Sequence, residues 1–341
     1  MTRRDFASAV VLSAGVAGSP PPPSASPVKP PALREGDTVA LLTPATGIAD
    51  PGQLSAAAAA IRSLGLQPRL GAHVGKQLGY LGGSIDERLD DLHAAFRDPD
   101  IRGIFCIRGG YGCAQLLDRI DYSLIRSHPK IFVGYSDITA LHLAIHRQTG
   151  LVTFHGPVLI FKGGTAHFTE YTVRWYRRAL FDKAPLGRLE NPPSHPISAV
   201  RAGVAQGQLV GGNLTLIASL MGTPYEIDTR GALLFAEEID EQPYRIDRML
   251  TQLRLAGKLA GASGVVFGEC VSCDSGSCPP EFTPSLSAAE VIGEIVGKLA
   301  APSIAGLAIG HTEDQLTLPV GVHAALDAAK GELTIDESAV S

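Results

Sequence analysis

The chain predicts an α/β fold built on a parallel sheet and divided into about two domains. Past residue 35, short apolar runs alternate with amphipathic or Ala-rich segments across short links, the pattern of strands joined by crossover helices. Its 341 residues make about two domains at ~150 residues each. Hydrophobic residues are 45% and charged residues 18%, which is ample for a buried core and excludes a disordered or fibrous chain. A net charge of −5 offers no basic surplus for nucleic acid.

The elements follow in order. Thr38–Leu42 (TVALL) is a short apolar run closed by Pro44, a buried strand. Residues 53–64 are Ala-rich and helical. Ser84 and Glu87 form a capping box, and Leu89, Leu92 and Phe96 recur at i, i+3 and i+7, so 85–97 is a helix with one buried face. Ile104–Ile107 (IFCI) and Ile131–Val133 (IFV) are further buried strands, with a helix continuing through Thr139–Ala144. Parallel sheets of this kind bind ligands beyond the carboxyl ends of their strands. These elements make an N-terminal domain over 32–160. Residues 161–202, with Trp175 and then Asn191-Pro192-Pro193, read as a helix and a linker. A mixed, β-richer domain spans 203–335, with strands at 232–236 and 265–267 and a helix at 285–299. Neither an internal repeat nor a transmembrane helix stands out.

The first 31 residues differ from the rest. Arg3-Arg4 precede a short apolar run, and SPPPPSASPVKPP follows at 19–31. A charged start, a short apolar stretch and small residues form an export-signal pattern, and the arginine pair resembles the twin-arginine type. Cleavage near Gly18 or Ala25 fits equally well, and the Pro-rich stretch reads as an extended linker. Periplasmic or exported localisation is therefore expected. A frayed terminus on a cytoplasmic protein is the alternative.

Several residues could carry chemistry. Arg108-Gly109-Gly110-Tyr111-Gly112 follows the strand IFCI, and paired glycines leave backbone N–H groups free for an anion or oxyanion. The spacing is neither that of a dinucleotide loop nor that of a Walker loop. Gly134-Tyr135-Ser136-Asp137 joins a strand to a helix, so Ser136 sits where a nucleophile elbow would place it, although Ser136 or Asp137 could simply cap the helix. His311 closes the strand-like run 306–311. Glu237 and Glu238 leave the strand ALLFA with side chains on opposite faces, so one alone could orient a histidine; pairing with Arg245 or Arg248 is the alternative. His142 and His146 lack a third ligand and read as helix-face residues. Cys270, Cys273 and Cys278 fall short of a closed zinc site, and in an exported protein a local disulfide is the simpler reading.

Taken together, these motifs resemble the LD-carboxypeptidases, serine peptidases that include muramoyltetrapeptide carboxypeptidase and the microcin C immunity peptidases. The matching stretches are DERLDDLHAAFRDPDIRGIFCIRGGYG (86–112), PKIFVGYSDITALH (129–142), TFHGP (153–157), GQLVGGNLTLIASLMGTPYEID (207–228), LLFAEEIDEQPYRIDRMLTQL (233–253) and GLAIGH (306–311). The resemblance implies a parallel-sheet sandwich like the class I glutamine amidotransferases, with a smaller β-rich C-terminal domain. It implies a nucleophile at Ser136, an orienting acid at Glu237 and a base at His311. Oxyanion donors are implied at Gly110 (or Gly109) and Asp137, and Arg108 is a candidate for a terminal carboxylate. It implies no cofactor or metal, a homodimer, and cleavage of the bond before the terminal D-alanine of murein tetrapeptides. Two alternatives stand beside it: a peptidase for a microcin-like peptidyl-adenylate or another peptide, and an exported murein-peptide-binding protein without activity. Murein-recycling members carry no leader, so the first 31 residues set this chain apart from them.

Overall fold

The computed structural model describes residues 27–160, 168–273 and 285–341. Along the chain run β1 (Thr38–Leu42), α1 (Pro51–Ser63), β2 (Gln67–Leu70), α2 (Ile85–Arg97), β3 (Ile101–Cys106), α3 (Tyr122–Ser127), β4 (Ile131–Gly134), α4 (Thr139–Thr149) and β5 (Thr153–His155). Then follow α5 (Glu170–Leu180), β6 (Gly187–Arg188), β7 (Ser198–Arg201), β8 (Val204–Asn213), α6 (Leu214–Ser219), β9 (Leu233–Ile239), α7 (Pro243–Leu255), α8 (Lys258–Gly261), β10 (Gly264–Val271), α9 (Ala288–Ile295), β11 (Ser303–Leu307), β12 (Leu318–Val320), β13 (His323–Asp327) and β14 (Glu332–Ile335). Both capping residues of the α2 box are in place, with Ser84 accepting from the Glu87 N–H and the Glu87 carboxylate accepting from the Ser84 N–H.

Two sheets organise the molecule. The first has the order β12-β5-β4-β3-β1-β2, parallel throughout except for β12 on its edge. The second has the order β6-β14-β13-β8-β9-β10-β11-β7, with β8 to β11 parallel at its centre and antiparallel strands outside. Strands with no exposed residue, such as β4, read as unbroken apolar runs because they are covered on both faces.

Three stretches differ from the expected division. Residues 161–202 supply β6 and β7 to the second sheet as well as α5. In the other direction, β12 leaves the C-terminal part of the chain to pair with β5. The end of the Pro-rich segment is also no free linker. Val28 donates its N–H to Gly150 O and accepts from Val152, and Pro30 O accepts from Ser341. An extended proline segment keeps its carbonyls and its few N–H groups free for such pairing. The twin-arginine pair and Cys278 lie outside the described residues. Cys270 and Cys273 are free thiols, so no disulfide links those two.

Candidate active site

Ser136 sits directly after β4 in a single 3-10 turn that leads into α4. Its φ is 63°, a left-handed conformation that a non-glycine residue rarely adopts and that active sites hold under strain. The turn leaves the residue half-buried at the carboxyl edge of the first sheet. The glycine loop leaves the neighbouring strand β3 and lies against it. A Cβ on Gly109 would meet Ser136 Cβ at 2.8 Å, so only glycine permits this approach. Among the described residues, the backbone N–H groups of Gly110 and Asp137 are not donated to any other group. Both are thereby available to an oxyanion.

Asp137 ties these two parts together. Its carboxylate Oδ2 accepts the Cys113 N–H at 2.8 Å, which fixes the end of the glycine loop to the turn at Ser136. Burial raises its pKa, opposed chiefly by that hydrogen bond. Below the loop, Arg88 is almost wholly buried and donates to Pro44 O at 2.9 Å, Gly112 O at 3.0 Å and Gln115 Oε1 at 2.8 Å. Arg88 was not singled out from the sequence, because its place on α2 reads as one more charge on a solvated face.

The second sheet and the segment after β11 bring a carboxylate and an imidazole together. Glu237 lies inside β9, which runs on through Ile239, so the apolar run continues past its expected end. Its Oε2 is 2.8 Å from His311 Nδ1; Glu237 is 0% exposed and His311 8%. A buried carboxylate on Nδ1 fixes the imidazole tautomer and leaves Nε2 as the free basic nitrogen. Gly310 makes room for the pair, since a Cβ there would lie 2.1 Å from Glu237 Oε2. The His311 ring packs on Tyr135, the residue before Ser136, with centroids 4.7 Å apart. Serine, imidazole and carboxylate thus converge from two sheets. Among the described residues, no hydrogen bond reaches Ser136 Oγ; such bonds are often long without substrate.

Glu238 points the other way, as alternation requires. It accepts from Asn213 Nδ2 at 2.9 Å and from the Thr215 N–H and hydroxyl at 2.8 Å. Asn213 in turn donates its N–H to Thr139 Oγ1 at 3.0 Å, joining Glu238 on β9 to the helix that follows Ser136. The pairing with Arg245 or Arg248 is not made: Arg245 is bonded to Glu241. Behind Tyr135, His142 and His155 are fully buried. Burial lowers the pKa of both, that of His142 to about 4, so they are neutral packing groups. Arg108 is half-buried and, among the described residues, has no ion-pair partner. One group there could hold a metal ion, His73 with Asp90 and Asp91. Its imidazole already bonds Asp90 at 2.9 Å and both Asp91 oxygens accept the His73 N–H, so it is satisfied without one.

Residues 39–156 match the LD-carboxypeptidase N-terminal domain and residues 206–326 match the LD-carboxypeptidase C-terminal domain. The chain belongs to the LD-carboxypeptidase family. It is 45% identical over 309 residues to "Probable murein peptide carboxypeptidase" of Bacillus subtilis, covering 90% of this chain and 94% of that protein. It is 32% identical over 295 residues to "Murein tetrapeptide carboxypeptidase" of Pseudomonas aeruginosa, covering 85% and 92%. The solved structure of the microcin C7 self-immunity protein MccF in complex with aspartyl sulfamoyl adenosine superposes with a TM-score of 0.82 at 26% identity, over 92% of this chain and 100% of that one. This LD-carboxypeptidase family member is therefore a peptidase with the two-domain α/β fold expected from its motifs.

Proposed function

We propose that the protein is a serine carboxypeptidase that removes the terminal D-alanine of murein tetrapeptides through an acyl-enzyme. The observation that carries this reading is the 2.8 Å bond from buried Glu237 to His311, with the His311 ring against the residue preceding Ser136. His311 Nε2 takes the Ser136 proton as Oγ attacks the carbonyl of the L-centre before D-alanine. The negative charge forming on that oxygen is held by the N–H groups of Gly110 and Asp137, a donor type whose loss costs ~10²–10³ in rate. The protonated imidazole, stabilised by Glu237, then gives its proton to the departing D-alanine nitrogen. Water, deprotonated by the same histidine, hydrolyses the ester. Half-buried Arg108 is the cation offered to the terminal carboxylate, and Gly109 makes room beside it.

Names of relatives support the murein substrate, as two of them are called murein peptide or murein tetrapeptide carboxypeptidases. A peptidyl-adenylate substrate has less support. Trp175, the lone tryptophan, is fully buried with Arg178 over its ring and offers no face to an adenine. The signal pattern in residues 1–31 supports action outside the cytoplasm, and the family resemblance supports a homodimer.

A serine-reactive phosphonate probe tests the mechanism. Wild-type protein is expected to gain one probe mass on the peptide containing Ser136, and Ser136→Ala none. A folded wild type that takes up no probe would favour the non-catalytic binding protein.

A further inference from the structure

The edge of the glycine loop carries an exposed aromatic corner that neither packing nor the reaction uses. Tyr111, one residue past Gly110, is 71% exposed, and Tyr80 is 64% exposed. Their rings meet edge to face, with centroids 6.2 Å apart and an interplanar angle of 78°. Leu78, two residues before Tyr80, is 57% exposed. Singly exposed apolar residues are ordinary, but two exposed rings in contact beside a candidate site mark a binding surface.

The corner is also held firmly. Leu78 and Leu81 exchange backbone hydrogen bonds at 3.1 and 3.0 Å across a tight hairpin, and Gly82 donates to Ala45 O at 2.8 Å. The Tyr111 N–H donates to Thr46 Oγ1 at 3.1 Å. Elsewhere the protein caps its aromatic faces with arginine, as at Tyr171, Trp175, Phe181 and Tyr244. Among the described residues, neither Tyr80 nor Tyr111 has such a cation.

We propose that Tyr80 and Tyr111 form a subsite for the sugar ring borne by the murein peptide upstream of the bond that is cut. This deepens the murein-peptide reading above and rests on it. Reach supports the assignment: three residues of extended peptide separate that sugar from the attacked carbonyl, about 10 Å, and Tyr111 stands two residues beyond Gly109, which touches Ser136. Chemistry supports it as well. The ring face of tyrosine is electron-rich and attracts the slightly positive C–H face of a pyranose, while the two phenols meet its hydroxyls. A right-angled pair suits a puckered ring; a flat base would stack on one ring only.

The test compares kcat/KM for murein tetrapeptide with and without its N-acetylmuramoyl sugar, in wild type, Tyr80→Ala, Tyr111→Ala, Tyr80→Phe and the remote surface control Leu255→Ala. Wild type is expected to prefer the sugar-bearing peptide through KM. Each alanine variant lowers that preference about five- to tenfold; Tyr80→Phe, which keeps the ring and loses one phenol, lowers it less, and Leu255→Ala retains it. Equal kinetics on both peptides in wild type, or equal losses on both in the alanine variants, overturn the proposal. So does a preference of the corner for a peptidyl-adenylate, or conversion of a dimer to monomers by Tyr80→Ala. If wild type cleaves neither peptide, the murein reading fails by itself. Calorimetric titration of the sugar-bearing peptide then decides the subsite, with binding weakened by Tyr80→Ala upholding it and unchanged or absent binding refuting it.

Discussion

Glu237 shows how much of the site depends on single atoms. Its Oε2 holds His311 Nδ1 in a position with no solvent exposure, so the tautomer of the imidazole is set by the protein alone. Glu237→Gln keeps the volume but can present an amide N–H where an acceptor is needed. We expect kcat to fall by ~10²–10⁴ with a smaller change in KM, the scale of losing the correct tautomer in a serine triad. Steady-state kinetics beside a near-ultraviolet spectrum check this; full activity in a folded Gln variant would remove Glu237 from the mechanism. The candidates Ser136, Glu237 and His311 were legible because each adjoins an apolar run with a short, characteristic neighbourhood. Arg88, Asn213 and Thr139 were not, since their partners are backbone groups and side chains far away in sequence.

Among elements, those with local signals were read best. The capping box fixed α2 at Ile85–Arg97, and the apolar run TVALL matches β1. The strands β6, β7 and β12 escaped because they are short and exist only by pairing with distant partners. The end of β9 was read short for a related reason. Buried glutamates look like a strand's end until their own partners, His311 and Asn213, are known. The loop between β3 and α3 depends on α2 through Arg88, which holds the carbonyls of Pro44 and Gly112. Arg88→Leu leaves Pro44 O and Gln115 Oε1 unpaired, while Gly112 O keeps only the Gln115 N–H, at a cost of about 3 kcal/mol. The same change loosens the N–H of Gly110. We expect a lower thermal midpoint and a fall in kcat that exceeds any rise in KM. Loss of stability with kcat preserved would show that the loop keeps its shape without the guanidinium.

The whole molecule buries several histidines in neutral form, and this gives its stability a definite pH dependence. His142 titrates near 4 in the fold against about 6.5 when unfolded. Between those values the unfolded chain binds a proton that the native protein does not, so stability is complete above pH 6.5 and falls as pH drops. His142 alone contributes about 2 kcal/mol of loss between pH 7 and pH 5. His146 and His155 are shifted the same way by burial, while the raised Asp137 and Glu238 oppose them. Urea midpoints at the two pH values test this. The wild type is expected to lose stability at pH 5, and His142→Leu to show a shallower slope; an unchanged slope would contradict the assignment.

At this same scale, the proposed mechanism joins the two sheets, with Ser136 after β4 of the first, Glu237 on β9 of the second and His311 in the segment after β11. The most direct measurement is release of D-alanine from murein tetrapeptide by wild type and by Ser136→Ala. Stoichiometric release of D-alanine by wild type, and none by the alanine variant, is the predicted result. No release by a folded wild type, or equal release by the variant, would contradict the account.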